Sequence, residues 1–205
     1  SISGRETINP VGGNPGANLH GVLVDVFGID IRNSTNQAFL GDLSRYGSFE
    51  LSIDIQVNSI TFFGSEVPRE LIVELRDYDN SLGYPWTSVY YSLGTIAAAD
   101  RGLDGWMTYS VVIEDPHALA LPAGWGGYGD EDPNTYEPVL PADRTFASVL
   151  ASVDEISFTT FVPGWFFGFT NFDIQVDNIT IRSVPAPTGL AVLGLAGLAG
   201  VRRRR

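Results

Sequence analysis

The clearest periodicity in the chain lies at Phe49-Glu50-Leu51-Ser52-Ile53-Asp54-Ile55-Gln56-Val57, where every odd position is apolar and every even one polar. A period of two sets one row of side chains on a core and the other in water, so this segment predicts a half-buried β-strand. Residues 21–31, dominated by Val, Leu, Phe and Ile, predict another. Further β-rich runs follow at 70–75, 88–93, 107–113, 155–161 and 172–181, separated by stretches rich in Gly, Pro, Asp and Asn. Short strands at this spacing predict an all-β fold, an antiparallel β-sandwich of jelly-roll type. The opening from Asn9 to Asn18, rich in Gly, Pro and Asn, predicts loop. One segment follows a different period. Phe146, Val149, Leu150 and Val153 recur at steps of three and four after Asp143, a candidate cap. They predict one short amphipathic helix closing an end of the sandwich.

A chain of 205 residues suits one core, here residues 1–182, followed by a distinct C-terminal segment, 183–205. With 44% hydrophobic and only 18% charged residues, disorder is excluded for the body. Lysine is absent, and four of the twelve Arg are the last four residues. Ahead of them, twenty-four acids oppose eight Arg, a net charge of −16 over residues 1–182. Such a surface repels phosphate backbones, whose recognition rests on Lys and Arg, so nucleic acid is not an expected partner. Cysteine is absent, which removes disulfides and thiolate metal sites. The two His, His20 and His117, lie far apart and argue against a histidine zinc site.

The chain closes with Val184-Pro185-Ala186-Pro187-Thr188, a run of Gly, Ala, Leu and Val over 189–201, and Arg202, Arg203, Arg204 and Arg205. As a helix, residues 188–201 would span roughly 21 Å at about 1.5 Å per residue, against a hydrocarbon core of about 30 Å. The cationic end marks the cytoplasmic side of such a segment. A proline hinge (Val184, Pro185, Pro187), an apolar helix and an Arg cluster together resemble the bacterial PEP-CTERM sorting signal. Ala186 stands where that signal usually has Glu. The resemblance implies an exported protein of a Gram-negative-type bacterium, carried to the cell envelope, surface or exopolysaccharide matrix. It also implies an exosortase-type processing enzyme as partner and a transient stay in the inner membrane.

Several segments of the body resemble the laminin B domain, also called laminin domain IV. They are Ala38-Phe39-Leu40-Gly41-Asp42, Tyr46-Gly47 with the strand at 49–57, Gly105-Trp106-Met107-Thr108-Tyr109-Ser110-Val111, the helix-then-strand stretch 142–158, and Asp177-Asn178-Ile179. The resemblance implies a β-sandwich with a structural or adhesive role and supplies no catalytic residues.

Candidate chemistry gathers in Gly124-Trp125-Gly126-Gly127-Tyr128-Gly129-Asp130-Glu131-Asp132-Pro133-Asn134-Thr135-Tyr136-Glu137. Calcium takes six to eight oxygen ligands on a bendable loop, and Asp130, Asp132, Asn134 and Glu137 are candidates to supply several. The alternative is a solvated acidic loop. Asp77-Tyr78-Asp79-Asn80 is a poorer oxygen-rich turn, and Asp177 and Asn178 hold either an ion or a backbone amide, or cap a bulge. Aromatic faces stack on the apolar faces of sugar rings, which makes Trp86, Trp125, Tyr128 and Tyr136, all in loop-like segments, candidate ligand platforms. Packing of long loops is the competing account. Trp106 and Trp165 lie beside strands and are assigned to the core. No Gly-x-Ser-x-Gly motif occurs, and acid pairs such as Asp130 with Asp132 arise readily in so acidic a chain. The expectation is a non-catalytic interaction module for polysaccharide or a matrix component, with calcium as its candidate cofactor. A small polysaccharide-active enzyme on a jelly-roll scaffold and a purely structural matrix protein are the alternatives.

Overall fold

The alternation at 49–57 belongs to a strand of fourteen residues, β4, whose Phe49, Leu51, Ile53, Ile55 and Val57 are all buried. The computed structural model describes residues 3–100 and 104–185. In chain order its strands are β1 (Ser3–Gly13), β2 (Gly16–Val26), β3 (Asp30–Asn33), β4 (Phe49–Phe62), β5 (Ser65–Glu66), β6 (Arg69–Asp77) and β7 (Thr87–Ile96). There follow β8 (Met107–Ile113), β9 (Trp125–Tyr128), β10 (Asp130–Glu131), β11 (Pro138–Val139), β12 (Glu155–Thr159) and β13 (Thr170–Ser183). A six-stranded antiparallel sheet runs β1-β2-β13-β4-β5, with β8 also paired to β4. A five-stranded antiparallel sheet runs β3-β12-β6-β7-β9, and β10 and β11 form a small ribbon.

The two sheets face each other across one apolar core. The first contributes Phe49, Leu51, Ile53, Ile55, Val57, Tyr109, Val111, Ile113, Phe172, Ile174 and Val176. The second contributes Leu71, Val73, Leu75, Val89, Ile156 and Phe158. This is the expected all-β antiparallel sandwich. The helix α1 (Phe146–Leu150) buries Phe146, Val149 and Leu150 as the periodicity requires. Its cap is Thr145 rather than Asp143: the Thr145 side chain accepts from the Ser148 backbone N–H while the Ser148 hydroxyl meets the Thr145 N–H, which satisfies two orphan donors of the first turn reciprocally. The stretch expected from the sequence to form a C-terminal apolar helix lies outside the described residues; within them, β13 ends at Ser183 and the Val184 N–H bonds Ser48 O at 2.8 Å. No helix among the described residues is long and apolar enough to cross a membrane.

Two expectations are corrected. The stretch expected as loop is a hairpin, β1 pairing β2 from Ser3↔Val24 to Gly13↔Gly16. The Asn14 turn is tied down by its N–H to Asp177 Oδ2 at 2.6 Å and its side-chain amide to Asp54 Oδ2 at 3.0 Å. Asn178 also donates to Asp54 Oδ2, at 2.8 Å, so Asp177 and Asn178 hold backbone and amide groups beside a register shift in β13. The strand expected over 21–31 is in fact two: Asp25 adopts φ 54 at a bulge against β13, β2 ends at Val26, and the chain crosses to the other sheet as β3. Deleting the ring of fully buried Phe49 by Phe49→Ala is expected to cost about 3–5 kcal/mol in urea unfolding. Phe63→Ala, at a side chain 93% exposed, should stay within about 0.5 kcal/mol.

Candidate functional site

The outward face of the five-stranded sheet is polar and nonetheless covered. Along β6, Leu71, Val73 and Leu75 point to the core, so Glu74 and Arg76 point away from it, yet each is only 2% exposed. Register sets Glu155 of β12 and Ser88 of β7 on either side of Arg76. Ionised groups out of water demand partners, and Arg76 has them. Its Nε and Nη2 reach Glu74 Oε2 at 2.8 and 2.7 Å, and its Nη1 reaches Glu155 Oε1 at 2.6 Å. Asp30 of β3 stands 3.6 Å from the same Nη1. Burial works against the Arg76 charge, but Glu74 and Asp30 outweigh it and hold the guanidinium above its ordinary pKa.

Over this floor lies Trp86. Its indole N–H donates to Glu74 Oε1 at 3.0 Å, where the Ser88 hydroxyl also donates at 2.5 Å. Its ring centroid is 4.4 Å from the Arg76 guanidinium carbon, a cation–π contact that fixes one ring face. Tyr128 stands beside it with ring centroids 6.0 Å apart, and Tyr84 meets Tyr128 edge-on at 5.6 Å. Burial, then Glu74, holds the Tyr128 phenol above its ordinary pKa. Trp86, Tyr128, Asp30, Glu74, Arg76 and the turn at 161–163 enclose a groove of about 280 Å³.

Pro163 is shared with an adjoining depression of about 380 Å³, lined by Tyr90, Tyr136, Glu137 and Trp165. Tyr90 lies against Gly126 of β9, where an added Cβ would sit 2.2 Å from the Tyr90 ring. The glycine is there because the ring needs its space. Tyr136 is presented by the β10–β11 ribbon, 76% exposed, with φ 60. The ribbon's turn is built by Asp132, whose Oδ1 accepts the Asn134 and Thr135 N–H groups at 2.8 and 3.1 Å. Those two bonds hold the Asp132 carboxyl below its ordinary pKa.

The sequence candidates therefore divide. Trp86 and Tyr128 share the groove, and Tyr136 stands in the depression beside it. Trp125 lies across β9 on the core side, its ring 5.4 Å from Tyr91 and 5.0 Å from Phe146. It lines a separate cavity of about 630 Å³ against Val111, Ile113 and Leu121. Of the oxygen-rich set, Asp132 serves its own turn and Asp130 accepts the Glu131 N–H at 2.8 Å. Asn134 and Glu137 are exposed beyond them. Among the described residues, no three His, Asp or Glu side chains gather into a group able to hold a metal. Asp77 and Asp79 face Arg144, and the Asn80 amide bonds Gly129 O at 3.0 Å, bracing the end of β9. Of the sorting residues, Val184 and Pro185 are described, whereas Pro187 and Arg202, Arg203, Arg204 and Arg205 lie outside the described residues.

Sequence reasoning missed Asp30, Glu74, Arg76, Tyr90 and Trp165. Trp106 is buried as expected, but Trp165 is 74% exposed, carried out of the core by the turn in which its N–H bonds Val162 O.

No protein-family model matches this chain, and no curated protein matches it. Among solved structures it is similar to the family 11 carbohydrate-binding module of the cellulosomal cellulase Lic26A-Cel5E of Clostridium thermocellum. That match has 14% identity over 92% of this chain and 86% of that one, with a TM-score of 0.51. It shows the fold, an antiparallel β-sandwich. A family 11 module from Clostridium thermocellum in complex with a β-1,3-1,4-mixed-linked tetrasaccharide matches at TM-score 0.44, with 14% identity over 86% of this chain and 83% of that one. An exo-β-agarase matches at TM-score 0.47, with 14% identity over 91% of this chain but 24% of its own length, so this chain spans about a quarter of that enzyme.

Arg76→Met would strand Glu74 and Glu155 as buried carboxylates and is expected to destabilise by about 3–5 kcal/mol in urea unfolding. Replacing all three together, Glu74→Leu, Arg76→Met and Glu155→Leu, should recover most of that loss, because no buried charge then lacks a counter-ion.

Proposed function

We propose that this chain is a non-catalytic polysaccharide-binding module whose binding face is the outward face of the five-stranded sheet. The observation that carries the reading is Trp86: one face of its ring rests on Arg76 and its N–H is held by Glu74, at the wall of a groove that also contains Asp30 and Tyr128. A sugar ring presents apolar C–H groups on its faces and hydroxyls at its edge. The fixed indole offers stacking area at little entropic cost, and the partly exposed Asp30 carboxylate in the same groove is an acceptor for sugar hydroxyls. The adjoining depression with Tyr90, Tyr136 and Trp165 lengthens the contact to more than one residue of a chain polymer. The shared fold with a carbohydrate-binding module supports the same reading. The C-terminal resemblance to a PEP-CTERM signal, with Pro185, Pro187 and the four terminal Arg, supports export and retention at the cell envelope or in an exopolysaccharide matrix. The resemblance to the laminin B domain fits an adhesive role there.

The test is retardation of the full chain in native gels containing bacterial or algal polysaccharides, with the buffer assayed for reducing sugar. Trp86→Ala and Tyr128→Ala should each weaken retention by about tenfold or more, the scale of one aromatic stack. Trp125→Ala should lower the unfolding midpoint while leaving retention unchanged. Release of reducing sugar, or loss of retention on Trp125→Ala alone, would overturn the reading. Repeating the panel in calcium and in chelator tests the calcium expectation for Asp130, Asp132, Asn134 and Glu137: only chelator-sensitive retention that Asp130→Asn or Glu137→Gln also removes would assign that turn a cation.

A further inference from the structure

Resting on that reading, we propose that the groove selects uncharged glycans and rejects anionic ones. Recognition of a carboxylate or sulfate on a sugar polymer requires a cation with donors to spare. Among the described residues, the one Arg lining either cavity is Arg76, whose side chain is only 3% exposed and is committed to carboxylates. Its Nε and Nη2 are spent on Glu74, its Nη1 on Glu155 with Asp30 beyond, and its ring-stacking face on Trp86. Arg32, 58% exposed with its Nε 3.5 Å from Asp30, lies outside the linings of both the groove and the depression.

Apart from Arg76, the charged side chains lining the groove and the depression are all acids. Asp30 and Glu74 line the groove and Glu137 lines the depression. Around Tyr90, burial first and then Glu74, Glu70 and Glu137 hold the phenol above its ordinary pKa; around Tyr128, burial and then Glu74 do the same. Both phenols are therefore neutral donors at pH 7. A neutral diol finds carboxylate acceptors, phenol donors and an aromatic face. An acidic sugar finds the same surfaces plus like charges at close range, with no uncommitted cation among the residues lining the groove or the depression. The net charge of −16 over residues 1–182 extends that repulsion outward.

The selection is readable with polymers that differ in charge and not in backbone. Hydroxyethyl and carboxymethyl derivatives of cellulose, of a β-1,3-glucan and of agarose, at equal substitution, are cast into native gels. Full-length protein is run through each. Arg202, Arg203, Arg204 and Arg205 are replaced by Gln in every sample, so that the cationic tail does not bind the acidic polymers on its own account. On any backbone that retards the protein, the carboxymethyl form should bind at least tenfold more weakly than the hydroxyethyl form. The gap should narrow as salt rises from about 0.01 M to about 1 M, where the screening length falls from about 30 Å to about 3 Å. Glu137→Lys, at an exposed position that leaves the fold intact, should raise retention by the carboxymethyl polymer several-fold. Equal or stronger retention by the carboxymethyl forms would overturn the selectivity and leave polysaccharide binding standing. Failure of all six polymers, together with the unmodified panel, would overturn both.

Discussion

A guanidinium held among carboxylates on the outer face of a β-sheet governs how this protein is built. Arg76 and Glu74 sit on a central strand, on the side away from the core, and a charged pair there needs either water or enclosure. The chain encloses it. Trp86, Tyr128 and the turn at 161–163 close over the pair, and Ser88 and Trp86 supply the donors that Glu74 still lacks. The side chains that cover the ion cluster are the same ones that wall the groove. The binding face is thus a by-product of satisfying buried charge, and its aromatic ring is fixed before any ligand arrives. Such preorganisation limits the entropy lost when a sugar stacks on it.

Glycine and edge-strand geometry complete the face. In Trp125-Gly126-Gly127-Tyr128, Gly126 leaves room for Tyr90 on the outward side, while an added Cβ at Gly127 would press against Leu140 at 2.6 Å on the other. A heavier strand would push Tyr90 away from the depression and Leu140 away from the core. Asn80 holds the end of this strand through Gly129 O, so the oxygen-rich turn at 77–80 acts as a brace for Tyr128.

Much of the sandwich was legible because one-sided burial writes itself as alternation. β4 is the clearest case, and the strands at 88–93, 107–113 and 172–181 followed from β-branched and aromatic runs between turn residues. The site was less legible, for physical reasons. β6 is covered on both faces, so Glu-Leu-Ile-Val-Glu-Leu carries no sign that its acids face a groove. The ion cluster exists only through the register of β12, β6 and β7, which is set by long-range pairing. The hairpin of β1 and β2 was hidden by its Gly, Pro and Asn content; its pairing to β13, far along the chain, decides it. Read as loop, 124–129 makes Trp125 and Tyr128 equivalent. As a strand, their odd separation sends them to opposite faces, one to the groove and one toward Phe146. Trp165 is the opposite case: its place beside a strand reads as core, and a turn carries it outside.

Two cavities compete for the role of binding site: the groove at Trp86 and the larger cavity at Trp125. Hydrogen–deuterium exchange of the full chain, with and without a retained polysaccharide, separates them most directly. The account predicts protection at 74–76, 86–90, 134–138 and 161–165, with exchange at 110–123 unchanged. Protection confined to 110–123 would place the ligand on the other side of β9 and contradict it.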